Sequence, residues 1–123
     1  MLITDQNELI LYSFLHKILD IEVMNRTPPY VVSEQDGIAY FSLINYPTSI
    51  INDRKKMMEN LQELLDGQIK VIIKERVNAK NHIILDCFIS ILPTADRKSI
   101  INYLQLTGDL YQGKDSLLKA LSE

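Results

Sequence analysis

Two stretches of this sequence share one layout: two β-prone runs around a polar turn, then a Pro-Thr pair, then a helical pattern. In the first stretch the turn contains Asp36-Gly37, and glycine tolerates the positive φ that tight hairpin turns require. In the second stretch the turn is "NAKN", residues 78–81. Two hairpin–helix units of this kind can lay their helices over one shared antiparallel sheet. The alternative is that Pro-Thr is simply a common strand-to-helix junction, so the shared layout is used for the architecture only.

A further helix is predicted before the first hairpin. Asp5 and Glu8 have the spacing of a capping box, and apolar residues recur at helical spacing from there to about Asp20. The apolar face of this helix is wider than one stripe, which suits a helix covered on two sides, by the sheet and by a partner chain. Because the chain is also small, we expect a homodimer.

The predicted fold class is α+β, an antiparallel sheet of two hairpins packed against helices. The element order is α-β-β-α-β-β-α, and Asp115 would cap a short C-terminal helix after it. Residues 1–123 are predicted to form a single domain, because a chain of this length has no room for a second core of ordinary size. A hydrophobic content of 46% is enough to form that one core.

Charge and cysteine content restrict the function classes. The formal net charge is −3 and the pI is about 5.4, so the chain lacks the overall basic character of many nucleic-acid-binding domains. Its single cysteine, Cys87, cannot form an internal disulfide, which favours a reducing compartment. The N-terminal residues have neither a signal-peptide pattern nor a membrane span. We therefore expect a cytoplasmic protein without a membrane interaction.

The stretch "NHIILDCFISIL", residues 81–92, contains the side chains that most resemble a catalytic set. On a strand, His82, Asp86 and Ser90 share one face, but neighbours four residues apart are separated by about 13 Å. A nucleophile and its base must approach to about 3 Å, so these residues cannot form a triad among themselves. Cys87 lies on the apolar face, where a thiol is inert. The sequence predicts no catalytic residues, no metal site and no cofactor.

Candidate partner-binding residues are basic or aromatic. Arg54 and Lys55 fall in the first half of the second helix, and Arg97 and Lys98 fall at the start of the third. Positive charge there is unfavourable toward the helix dipole, so a binding edge for acidic partners is one interpretation and tolerated surface charge is the other. Tyr40 is the aromatic candidate, because its neighbour in the strand faces the opposite side.

The predicted element order and acidic pI resemble those of small dimeric binding domains, such as class I type III secretion chaperones and roadblock-type modules. No sequence motif carries this resemblance. The hypothesis we derive is a non-catalytic protein-binding module that acts as adaptor, chaperone or inhibitor, and a virus- or plasmid-encoded inhibitor is one form of it. The alternative is a nucleic-acid-binding or regulatory domain that uses the basic helix N-termini. An enzyme ranks third.

Overall fold

The computed structural model describes residues 5–19, 31–44 and 46–112 of the chain. Within them it has three helices and four strands, in the order that the sequence predicts, and the α+β fold class is confirmed. The elements are α1 (Gln6–Ile18), β1 (Val31–Gln35), β2 (Ile38–Ile44), α2 (Thr48–Leu64), β3 (Ile69–Val77), β4 (Ile83–Ile91) and α3 (Arg97–Thr107). The short helix predicted after Asp115 lies outside the described residues.

The four strands form one antiparallel sheet in the order β1-β2-β4-β3. The second strands of the two hairpins are therefore neighbours at the centre, and the first strands are the two edges. The turn between β1 and β2 has positive φ at both central residues, 53° at Asp36 and 80° at Gly37. This is the geometry of a type I′ turn, whose twist matches that of the strands it joins.

One face of the sheet, called here the inner face, contributes to the hydrophobic core. Alternate residues of the central strands lie on it, including Phe41 and Leu43 of β2 and Leu85 and Cys87 of β4, all fully buried. The opposite face, called the outer face, contributes no strand residue to this core. Because the core cluster contains residues of all three helices, α1, α2 and α3 pack on the inner side.

Helix α1 is the most completely buried helix of the described part of the chain. Asp5 caps it as predicted, since its carboxylate accepts a hydrogen bond from the Glu8 amide at 2.9 Å. Residues on every side of α1 are buried, and they are Ile10, Leu11, Tyr12, Ser13, Phe14, Leu15 and Ile18. The chain itself thus covers the broad apolar face of α1. The homodimer was predicted from that face, so it stays a prediction that α1 no longer supports.

The helices run along the strands, so each helix begins near one end of the sheet and ends near the other. Helix α2 follows the end of β2, where Ile44 lies opposite Ile84, and α3 follows the end of β4, where Ser90 lies opposite Ile38. The starts of α2 and α3 therefore lie at opposite ends of the sheet, about 20 Å apart at the rise of a β-strand. Among the described residues, no helix is long and apolar enough to cross a membrane.

Candidate partner-binding surface

Strand β3 is an edge of the sheet, and its outward-facing backbone is the feature most suited to binding a partner. In an antiparallel sheet, successive residues of an edge strand direct their N–H and C=O groups alternately to the neighbour and to the outside. Val71 donates its N–H to the side chain of Gln62 rather than to β4. The backbone N–H and C=O groups of the odd-numbered residues of β3 therefore point away from β4. We call the outward backbone of residues 71–77 the β3 edge.

The side chain of Gln62, a residue of α2, lies beside the start of β3, where a neighbouring strand would otherwise lie. Its side-chain amide donates to the Ile69 carbonyl at 2.9 Å and accepts from the Val71 N–H at 2.6 Å. These are the two bonds that one residue of a neighbouring parallel strand would make, so the amide acts as a single strand residue. Beyond it, Lys74, Glu75, Arg76 and Val77 are all exposed. The outward groups of Ile73, Glu75 and Val77 have no hydrogen-bond partner among the described residues.

The outer-face side chains of β3 are mostly cationic. They are Lys70, Ile72, Lys74 and Arg76, and we call the three charged ones the cationic strip. Within the described residues, neither Lys70 nor Lys74 forms a salt bridge. A chain whose net charge is −3 thus presents a locally positive strand beside an open backbone edge.

Arg76 is held by a polar network on the outer face. Its guanidinium donates to the Asp86 carboxylate at 2.6 Å, and the Ser42 hydroxyl donates to the same carboxylate at 2.5 Å. The Tyr40 hydroxyl also donates to Asp86, at 3.2 Å, and its ring lies 4.8 Å from that of Phe88. The hydrogen bond from Arg76 is the largest cause that lowers the Asp86 pKa below its ordinary value, and Ser42 and Tyr40 add to it. The predicted residue Tyr40 is therefore part of a fixed, half-buried surface.

At the start of α2, the two predicted basic residues are both engaged within the chain. Arg54 is only 4% exposed, and its guanidinium donates to the Ile18 carbonyl at 2.8 Å and to Asp53 at 2.8 Å. Lys55 forms a salt bridge of 2.6 Å with Glu75 of β3, and that hydrogen bond is the main cause that raises the pKa of Lys55. Arg54 is thus a buried residue and not part of a surface.

At the start of α3, the half-buried Arg97 donates to the Asn7 side chain at 2.6 Å and to the Ala95 carbonyl at 3.3 Å. Lys98 is exposed. Because α2 and α3 begin at opposite ends of the sheet, the structure does not bring the two predicted basic sites together.

The reactive-looking residues of β4 lie apart. Cys87 is fully buried on the inner face, and burial raises the pKa of its thiol to about 12. The predicted inward orientation of the cysteine is therefore confirmed. Its neighbour Asp86 lies on the outer face. In the described part of the chain, no group of three or more His, Cys, Asp or Glu side chains could hold a metal ion.

A groove of about 190 Å³ lies on the helical side, between α1, α2 and α3. Its lining is mostly apolar and includes Met57, Leu61 and Tyr103. Lys17 and Asp109, which form a salt bridge, also line it. Its volume is below the range of about 300–1,000 Å³ that small-molecule sites usually have. The groove does not indicate a particular ligand.

Comparison of the chain with protein-family models, with curated proteins and with solved structures gives no match. The candidate surface therefore rests on its own geometry. The sequence alone did not indicate Gln62, Lys74 and Arg76 as candidates, because strand order decides which strand is an edge. The available signal was the placement of Lys70, Lys74 and Arg76 at even-numbered positions, which share one face of a strand.

Proposed function

We propose that this protein is a non-catalytic protein-binding module, an adaptor, chaperone or inhibitor, that binds an extended segment of its partner along the β3 edge. The observation that carries this proposal is the open backbone of residues 73–77 on an exposed strand. Unpaired N–H and C=O groups of an edge strand are a template on which another chain forms an added strand.

Gln62 supports this function because it defines where the added strand ends. Its side-chain amide already occupies the position beside Ile69 and Val71, so a partner segment begins at the Val71 carbonyl and extends toward Val77. The side chains on the inner side of this stretch are apolar at Ile73 and Val77, and Val77 is 62% exposed. A partner segment thus gains backbone hydrogen bonds together with apolar contacts.

The alternative, a nucleic-acid-binding domain that uses the basic helix N-termini, has less support. Arg54 is buried, Lys55 is paired with Glu75, and the two helix starts lie at opposite ends of the sheet. The cationic residues on which that alternative depends therefore form no common surface.

A proline at position 75 tests the proposal. The Glu75 N–H faces outward, so Glu75→Pro removes a donor of the β3 edge and leaves the hydrogen bonds between β3 and β4 in place. Glu75→Ala is the matched control, because it also removes the salt bridge with Lys55 but keeps the N–H. Tagged forms of the wild type and both variants are purified from cells that naturally express the protein, after circular dichroism has verified their folding.

We expect one protein to copurify in stoichiometric amount with the wild type and with Glu75→Ala, and to be lost with Glu75→Pro. Retention of that protein by the proline variant would show that binding does not use the β3 edge. If no protein copurifies in stoichiometric amount with the wild type, the proposed function is wrong.

A further inference from the structure

The chemistry of β3 also restricts the kind of segment that can bind to it. We infer that the β3 edge selects an acidic extended segment, in which carboxylate side chains alternate with apolar ones. This inference rests on the proposed function, since it concerns the partner of the same edge. It is carried by Lys74 and Arg76 of the cationic strip, whose side chains lie on one face of the open stretch.

An added strand places its own side chains beside those of β3, about 5 Å away on the same face. Opposite charges at such positions attract, and like charges repel. Lys74 lies at the middle of the open stretch and has no salt bridge among the described residues. On its other side Lys74 lies opposite Asp86 of β4, but that carboxylate is bound by Arg76. A carboxylate of the partner beside Lys74 therefore meets a cation that has no salt bridge of its own.

Arg76 gives the same preference for a carboxylate at the next outer-face position of β3. Its guanidinium is bound to Asp86, yet its side chain is 52% exposed. A guanidinium has five N–H donors, so those not used by Asp86 remain for a second carboxylate. Two carboxylates of the partner, two residues apart, would then lie beside Lys74 and Arg76. An apolar residue would lie beside Ile72.

The same charges argue against a second copy of this chain at the edge. If two β3 strands pair antiparallel about Lys74, each Lys74 lies beside its counterpart. If they pair about Glu75, Lys74 lies beside Arg76 of the other copy. Each of these registers brings like charges together, which is how lysines protect exposed edges from self-association. An acidic segment of another protein meets no such repulsion.

The side chains of β3 on the inner face suit the apolar residues of the partner segment. Ile73 is half-buried and packs against the core, and Val77 is exposed. Between them, Glu75 is bound to Lys55, so its carboxylate is already compensated. An alternating segment can therefore place its apolar residues on this side and its carboxylates beside the cationic strip.

Three blocked peptides of equal length test this inference. Each alternates valine with one other residue, which is glutamate in the first, glutamine in the second and lysine in the third. They are titrated into ¹⁵N-labelled protein, and binding is followed by NMR at the backbone amides of Ile73, Glu75 and Val77. Lys74→Gln and Lys56→Gln are compared with the wild type, and Lys56, an exposed residue of α2, is the control position.

We expect the glutamate peptide to shift these amides and to bind about fivefold more tightly than the glutamine peptide at low salt. The lysine peptide should bind least. The preference for glutamate should fall in Lys74→Gln and persist in Lys56→Gln.

Equal binding of the glutamate and glutamine peptides would overturn the inference and leave strand addition standing, because the cationic strip would then serve only to exclude copies of the chain. An unchanged preference in Lys74→Gln would also overturn it. If no peptide shifts the amides of residues 73–77, strand addition itself is wrong. The two failures are thereby distinguished.

Discussion

At the scale of single residues, the buried guanidinium of Arg54 joins two helices. It donates to the carbonyl of Ile18, the last residue of α1. Carbonyl groups in the last turn of a helix have no partner within the helix, and the helix dipole makes this end negative. Arg54 therefore stabilises the end of α1 from the first turns of α2.

The replacement Arg54→Met tests this role. Methionine keeps much of the apolar side chain but cannot donate to Ile18, and hydrogen bonds from charged groups contribute about 1.5–3 kcal/mol. We expect the free energy of unfolding to fall by about 2 kcal/mol in urea titrations. Lys56→Met, the same loss of charge at an exposed position of α2, should change it by less than about 0.5 kcal/mol. Equal stabilities of the two variants would contradict this role.

The burial of Arg54 also shows what the sequence could not reveal at this scale. Arginine is rarely buried unless it is paired, and Arg54 precedes two lysines, so a surface position was the natural prediction. Its burial depends on α1 ending beside the first turns of α2, which is a tertiary contact. Cys87 was predicted correctly because strand alternation alone assigns it to an apolar face.

At the scale of elements, the contact between α2 and β3 determines how much of the β3 edge is open. Gln62→Ala would remove both hydrogen bonds of the side-chain amide and leave the Val71 N–H without a partner. We expect the Val71 amide to exchange with solvent at least about tenfold faster in NMR, because a loss of about 1.4 kcal/mol corresponds to that factor. Amides of β4 should keep their protection. Unchanged exchange at Val71 would show that Gln62 does not close this position.

The elements themselves were largely predictable, because each has local signals. Asp36-Gly37 indicated the first turn, and Asp5 indicated the start of α1. The start of α3 was less well predicted. It begins at Arg97 with Asp96 as its cap, four residues after Pro93, whereas α2 begins directly after Pro47. The two Pro-Thr pairs therefore differ in local geometry.

Sheet order was beyond the reach of local signals. Hairpins indicate which strands pair within a unit, but the pairing of β2 with β4 joins residues 40 to 52 positions apart. This pairing makes β3 an edge and turns Gln62 into a partner of its backbone. Because the candidate surface depends on it, the sequence alone directed attention to the helix N-termini instead.

At the scale of the whole molecule, the described surfaces restrict how two copies of the chain could pair. The chain covers α1 itself, and the cationic strip disfavours pairing of two β3 edges. The predicted homodimer would therefore need another surface. Sedimentation at high micromolar concentration tests it, and a strict monomer would exclude it.

The polar network on the outer face joins three strands of the sheet and makes its stability depend on pH. Asp86 of β4 is bound by Arg76 of β3 and by Ser42 and Tyr40 of β2. The hydrogen bond from Arg76 is the main cause that keeps the folded-state pKa of Asp86 below its ordinary value, although partial burial acts in the opposite direction. Folding therefore favours the ionised carboxylate.

A group whose pKa is lowered by folding contributes stability above its unfolded pKa, about 3.9 for aspartate, and loses it as the pH falls through the lower folded value. We expect the difference in unfolding free energy between the wild type and Asp86→Asn to be constant from about pH 8 to 5 and to shrink below about pH 4. Urea titrations across this range measure it. In an Arg76→Gln background the pH-dependent part should become smaller, because the main cause of the lowered pKa is gone. A difference that stays constant down to about pH 2.5 would contradict the coupling of Asp86 to folding.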